Sequence, residues 1–274
     1  MAGRLLFLSA LFTLGALAES WQPLSDHPRP IWARPWQNLN GPWKFDFDPN
    51  DIGLKEKWFE SHTFAKQINV PFPWQSELSG IHDVDYNGVA WYEREISIPA
   101  DAGPRIILTF GAIDWAATVW INGKEVVQHE GGYVPFSADI TEHVTPGESA
   151  RVTVRVVDNT DPDLPTGKQI GWYTRTGGIW QTVYLESRGP SEIRPVHIIP
   201  DIDAGTALFR VPIRAHAEGK YDVAIRAVCG DRVHTYRQSA NLSQGDNTLG
   251  IELPVPDAAL WTPDTPSLYE TELQ

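Results

Sequence analysis

Asp83-Val-Asp-Tyr-Asn-Gly88 has the opening spacing of a calcium-binding EF-hand loop, Asp-x-Asp-x-Asn-Gly. The twelfth position of such a loop supplies a bidentate Glu; here it is Arg94, and Trp91-Tyr92 reads as strand where a flanking helix belongs. A polar surface loop is therefore expected. The eight His residues contain no His-x-His or His-x₃-His pair, so neither a metal site nor any other cofactor is expected. No Gly-x-Ser-x-Gly elbow presents a nucleophilic serine, and no glycine-rich loop is spaced to cradle phosphate. Cys229 is the only cysteine, which excludes an intramolecular disulfide. It falls in an alternating apolar run, where a thiol serves as a small hydrophobe.

The elements that would position any chemistry begin after a processing signal. Arg4 precedes an apolar run over 5–17, and Ala16-Leu17-Ala18 gives a small-x-small cleavage pattern. Residues 1–18 are thus expected to be a signal peptide, with Glu19 opening a secreted or periplasmic chain. A membrane anchor needs about 20 apolar residues, and this run is shorter. The formal charge is −13, and removal of Arg4 makes it more negative still. That field repels polyphosphates, so nucleic acid and anionic membrane are not expected partners. Neutral ligands are not penalised. Twelve Trp stand against one Met, and flat indole faces serve either a core or a sugar platform.

The hydrophobic period is two. Arg151-Val-Thr-Val-Arg-Val-Val157 alternates as a half-buried strand does. Ala117-Thr-Val-Trp-Ile121 runs into Asn122-Gly123 and then Lys124-Glu-Val-Val127, the signature of a type I′ hairpin. Further strands are expected over 43–47, 91–98, 105–110 and 182–186. Helix signals are confined to 54–59 and to a capping-box spacing at Asp139-Ile-Thr-Glu142. Turn signals at this density without long helices predict an all-β protein. Ser187-Arg-Gly-Pro190 reads as a domain boundary. Beyond it, strand-like runs over 193–199, 207–213, 221–228, 233–237, 248–253 and 268–273 suggest an immunoglobulin-like sandwich, over 191–274, that is expected to be truncated before its last strand.

Six ordered segments resemble the N-terminal sugar-binding domain of family 2 glycoside hydrolases, the group of β-galactosidases, β-glucuronidases and β-mannosidases. They are Leu39-Asn-Gly-Pro-Trp-Lys-Phe45, Val70-Pro-Phe-Pro-Trp-Gln-Ser-Glu-Leu-Ser-Gly80, Trp91-Tyr92-Glu93-Arg94, the run from Phe110 to Lys124, His129-Glu-Gly-Gly-Tyr-Val-Pro-Phe136, and Gly177-Gly-Ile-Trp-Gln-Thr-Val183. Leu260-Trp-Thr-Pro-Asp-Thr-Pro-Ser-Leu-Tyr269 is similar to a segment near the end of the family's second domain. The resemblance implies a jelly-roll (galactose-binding-like) β-sandwich over 19–188, followed by an incomplete immunoglobulin-like sandwich. Most of these signatures are fold determinants: Gly131-Gly132 and Gly177-Gly178 permit sharp reversals, and Asp114 at a strand end is placed to accept backbone N–H groups.

Glycoside hydrolysis uses two carboxylates, about 5–5.5 Å apart for retention or about 6.5–9.5 Å for inversion. In the family both lie on a (β/α)₈ barrel, so the resemblance assigns no catalytic residue to this chain. It implies that loops over 75–85 and 168–175 reach toward the barrel's substrate. Glu77, Asp83, Trp172, Tyr173 and Arg175 are the ligand-binding candidates there: carboxylates accept sugar hydroxyls, aromatic rings stack on C–H faces, and Arg donates. The partners so implied are a β-glycoside carbohydrate and the barrel of a full-length enzyme. Some β-galactosidases carry a carboxylate just before the Gly-Ile-aromatic motif. This chain has Trp172-Tyr173 there, which leaves the sugar open. Three readings follow: the non-catalytic front of an exported glycosidase, a free-standing carbohydrate-binding module, or a ligand-free structural sandwich.

Overall fold

The computed structural model describes residue 34, residues 36–158 and residues 174–274. The expected signal peptide lies outside the described residues. In chain order the first body carries β1 (Trp36–Asn38), β2 (Gly41–Asp48), β3 (Lys66–Val70), β4 (Gly88–Ser97), β5 (Arg105–Phe110) and β6 (Ile113–Asp114). It continues with β7 (Ala116–Ile121), β8 (Lys124–Glu130), β9 (Phe136–Asp139), β10 (Ser149–Asp158), β11 (Gly178–Ile179) and β12 (Val183–Arg188). A six-stranded sheet, β3-β2-β4-β10-β7-β8, faces a four-stranded sheet, β1-β12-β5-β9. β6 and β11 form a short ribbon at one end.

Alternation builds the core of this jelly-roll sandwich. Trp43 and Phe45 of β2, Ala90 and Tyr92 of β4, and Val152, Val154 and Val156 of β10 are buried against Leu108, Phe110, Val183 and Leu185 of the facing sheet. The hairpin at Asn122-Gly123 has φ of 52° and 81°, the positive pair that a type I′ turn demands. The other face of the larger sheet is also covered, because Trp91, Trp120 and Trp58 form a second apolar cluster there.

That cluster explains why 54–59 is not helical. The stretch is a run of turns, entered through Asp48, whose carboxylate accepts the N–H groups of Ile52 and Gly53 and the indole N–H of Trp91. The Trp58 N–H reaches back five residues to the Gly53 carbonyl. Gly53 lies so close to the Trp91 ring that a Cβ there would stand 2.6 Å from Nε1. Burying a large apolar side chain stabilises by roughly 1.5–3 kcal/mol, so seating Trp58 outweighs regular helical bonds over six residues. At the second helix signal, Asp139 Oδ1 accepts the Thr141 N–H, and a single 3₁₀ turn follows at Thr141–His143.

The second body comprises β13 (Glu192–Ile193), β14 (His197–Asp201), β15 (Thr206–Ala215), β16 (Gly219–Cys229), β17 (Arg232–Leu242), β18 (Gly245–Pro254) and β19 (Glu270–Leu273). The run over 193–199 is interrupted at Arg194-Pro195-Val196, so it makes two strands on one side of β15. β18 flanks β15 on the other side, and the second sheet is β17-β16-β19. Phe209, Val211, Ile213, Val223, Ile225 and Ile251 fill the space between the sheets. Cys229 is half-buried at the end of β16. Charge ties the two bodies together. Glu186, 2% exposed, takes Arg188 at 2.9 Å, and Glu192 takes Arg105 and Arg188, each at 3.3 Å. Arg34 donates to the Ile193 carbonyl.

Candidate functional site

The loops at one end of the first sandwich are held by Trp74, which is 0% exposed. Its N–H donates to the Gly177 carbonyl at 3.3 Å, and its own carbonyl accepts the Asp83 N–H at 3.0 Å. The indole N–H reaches the Tyr86 carbonyl at 3.3 Å. The ring occupies the space that side chains at 177 and 178 would need: a Cβ would stand 2.2 Å from it at Gly177 and 2.8 Å at Gly178. Gly178, at φ 91°, also brings the Tyr92 hydroxyl against the backbone. Gln75 completes the stitch by accepting the Gly177 N–H at 3.0 Å.

Asp83 is folded back on its own loop, where Oδ1 accepts the N–H groups of Asp85 and Tyr86 at 3.2 and 3.0 Å. The metal-like spacing thus makes a turn. Arg175 donates to the Asn87 side-chain carbonyl at 3.0 Å, joining the 174–180 segment to the same loop. The structure therefore brings Asp83 and Arg175 to one place. Glu77 projects away: its side chain is 83% exposed, 3.9 Å from His82. Trp172 and Tyr173 lie outside the described residues.

Two carboxylates sit beneath these loops. Asp158 ends β10 with the same inward alternation as Val152, Val154 and Val156, and it is 6% exposed. Its Oδ2 has no hydrogen-bond partner among the described residues and lies against Gly177, where a Cβ would stand 2.6 Å away. Burial, the charge of Asp114 and the opposing charge of Arg175 leave its pKa raised to about 7. Asp114 packs against Gly132, and burial raises its pKa to about 6. No backbone N–H donates to it among the described residues, contrary to the strand-end reading. Burial also raises the Tyr86 hydroxyl to about 12. Asp158 was legible in principle, since the alternation of 151–157 carried one residue further places a carboxylate on the core face.

The loop end thus sets the Arg175 guanidinium, the Asn87 amide and the Asp83 carboxylate in one small area above the two acids. Residues 36–188 match the family described as "Glycosyl hydrolases family 2, sugar binding domain", and residues 191–274 match "Glycosyl hydrolases family 2". The chain belongs to glycosyl hydrolase family 2.

It is similar to the β-glucuronidase of Paenibacillus borealis, 28% identical over 272 residues, covering 90% of this chain and 43% of the relative. The β-glucuronidase of Felis catus is 27% identical over 86% of this chain and 40% of its own. The chain thus spans about two fifths of the length of these relatives. Among solved structures, the Ruminococcus gnavus β-glucuronidase bound to D-glucuronic acid is 25% identical with a TM-score of 0.66, covering 90% of this chain and 44% of that one. A family 2 member from Bacteroides cellulosilyticus shares the fold at a TM-score of 0.68 and 24% identity, covering 86% and 33%.

Two outcomes are expected. Gly177→Ala forces a methyl into the Trp74 ring, and overpacking of this kind costs about 1–3 kcal/mol. Urea unfolding should show a loss of at least that size, whereas Gly189→Ala in the linker should lose much less. The pH dependence follows from Asp158. Its folded pKa, about 7, lies above the ordinary 3.8. The folded chain therefore retains a proton that the unfolded chain releases, and stability falls as pH rises from about 4 to 7. Asp158→Asn should flatten that decline and make the variant the more stable form at pH 8. Equal slopes for the two proteins would contradict the assignment.

Proposed function

We propose that this chain is the non-catalytic, sugar-facing front part of an exported family 2 glycosidase that hydrolyses β-D-glucuronides. The observation that carries the reading is the colinear match of both sandwiches to β-glucuronidases over up to 90% of the chain. The loop end fits the role. Arg175 supplies a fixed cation suited to a uronate carboxylate, and Asp83 supplies an acceptor for ring hydroxyls. In this reading the bond-breaking carboxylates come from a barrel domain, and the Glu186–Arg188–Glu192 ion pairs hold the loop end at a fixed angle to the parts that follow. In this reading residues 1–18 direct export.

The test is the reading frame beyond codon 274 and its product. The frame is expected to continue into a (β/α)₈ barrel, and the full-length enzyme to release nitrophenol from 4-nitrophenyl β-D-glucuronide. The 274-residue chain alone should release none. Arg175→Ala in the full-length enzyme should lower kcat/KM about tenfold or more, on the scale of one lost charged hydrogen bond of about 1.5–3 kcal/mol. A frame without a barrel would overturn the glycosidase reading. A full-length enzyme that cleaves the galactoside or mannoside but not the glucuronide would overturn the substrate class.

A further inference from the structure

Outside the loop end, the face of the six-stranded sheet carries a groove lined by Trp115, Thr118, Gln128, Glu130, Arg155 and Val157. Its shape follows from register. Thr118 of β7 lies opposite Gln128 of β8 on one side and Arg155 of β10 on the other. Ala116 lies between Glu130 and Val157 in the same way. Short side chains on the central strand, flanked by long polar ones, leave a trough along β7. Arg155 is fixed as one wall by Asp51, 2.6 Å away. Trp115 closes the end nearest the loops. Its indole N–H has no hydrogen-bond partner among the described residues, although its backbone is held by Val157 and Gly131.

The polar groups on this trough are not all engaged by the protein. Glu130 is exposed and makes no ion pair among the described residues. Gln128 uses its NH₂ on Glu125 at 2.8 Å, which leaves its carbonyl oxygen as an acceptor. Thr118 offers a hydroxyl that gives and takes. An anionic ligand is disfavoured, because Glu130 is unneutralised and the Arg155 charge is already matched by Asp51. An apolar ligand would strand the carboxylate and the amide. The set suits a neutral, hydroxyl-rich molecule with an apolar C–H face for the indole.

We propose that this groove is a second saccharide site, distinct from the loop end, that holds a segment of a neutral β-linked oligosaccharide. It does not depend on the glucuronide reading, since it uses different residues and a different ligand charge. In this arrangement the loop end faces the sugar to be cleaved and the groove retains an uncharged glycan on the outer face.

The experiment is amide chemical-shift mapping of the whole chain with cellohexaose, xylohexaose and mannohexaose, and with a hyaluronan hexasaccharide as the uronate-bearing comparison. At least one neutral hexaose should bind with a Kd of about 10⁻⁴–10⁻³ M and shift the amides of Ala116, Thr118, Gln128 and Glu130. Thr118→Arg fills the trough from an outward position and should weaken that binding at least tenfold. Trp115→Ala should do the same, and circular dichroism of both variants should match wild type. The groove is refuted if no neutral hexaose binds below about 10 mM, if binding survives Thr118→Arg, or if only the hyaluronan fragment binds. Shifts confined to Asn87, Arg175 and Gly177 would also refute it while supporting the loop end as a sugar site.

Discussion

The packing of the Trp74 indole on Gly177 and Gly178 is the contact on which the rest of the loop end depends. A buried ring stands where two Cβ atoms would otherwise be, so loops separated by some hundred residues behave as one layer. The same closeness sets the Gly177 N–H on Gln75 and the Asp83 N–H on the Trp74 carbonyl. It also lays backbone over Asp158 and shuts that carboxylate away from water. Removing the ring would loosen both loops together, because the Gly177 bonds to the Trp74 N–H and to Gln75 rely on the same close packing, and only the bond from Arg175 to Asn87 lies outside it.

That lid has an electrostatic cost. Two carboxylates under it are desolvated, and the charge of Asp114 further raises the affinity of Asp158 for a proton. Fold stability alone gives no reason to keep them, since a buried unpaired carboxylate is among the least favourable groups a core can hold. The charge of Arg175 offsets part of that cost for Asp158. The other end of the sandwich treats its acids differently. Glu186 and Glu192 are buried only with Arg34, Arg105 and Arg188 around them, which is where a rigid joint to the second sandwich is needed.

The sequence made much of this legible. Alternation over 151–157 specified β10, and Asn122-Gly123 specified the β7–β8 turn by its tolerance of positive φ. The glycine pairs were read as reversals, but their larger effect is the room they give to Trp74, Asp158 and Asp114, which no local pattern announces. Residues 54–59 read as helix because their apolar spacing is helical; Asp48, just ahead of them, and Trp91, distant in sequence, decide the outcome. β3 and β9 carry too few alternating residues to stand out from the loops around them. Of the five binding candidates, chain order brought Asp83 and Arg175 into one region, while Glu77 sits on an outward 3₁₀ turn whose direction depends on the Ser76 cap and Gly80. The groove at Trp115 was invisible beforehand, since it arises from register between three strands.

Preorganisation of the loop end is the claim that joins fold to function here, and amide hydrogen exchange on the isolated chain measures it. If Trp74 holds the two loops as one unit, the amides of Trp74, Asp83 and Gly177 will exchange as slowly as those of β10, and all three will open together. Rapid exchange at these amides, or three unrelated rates at loop-like values, would mean that the end of the sandwich is not built before its ligand arrives.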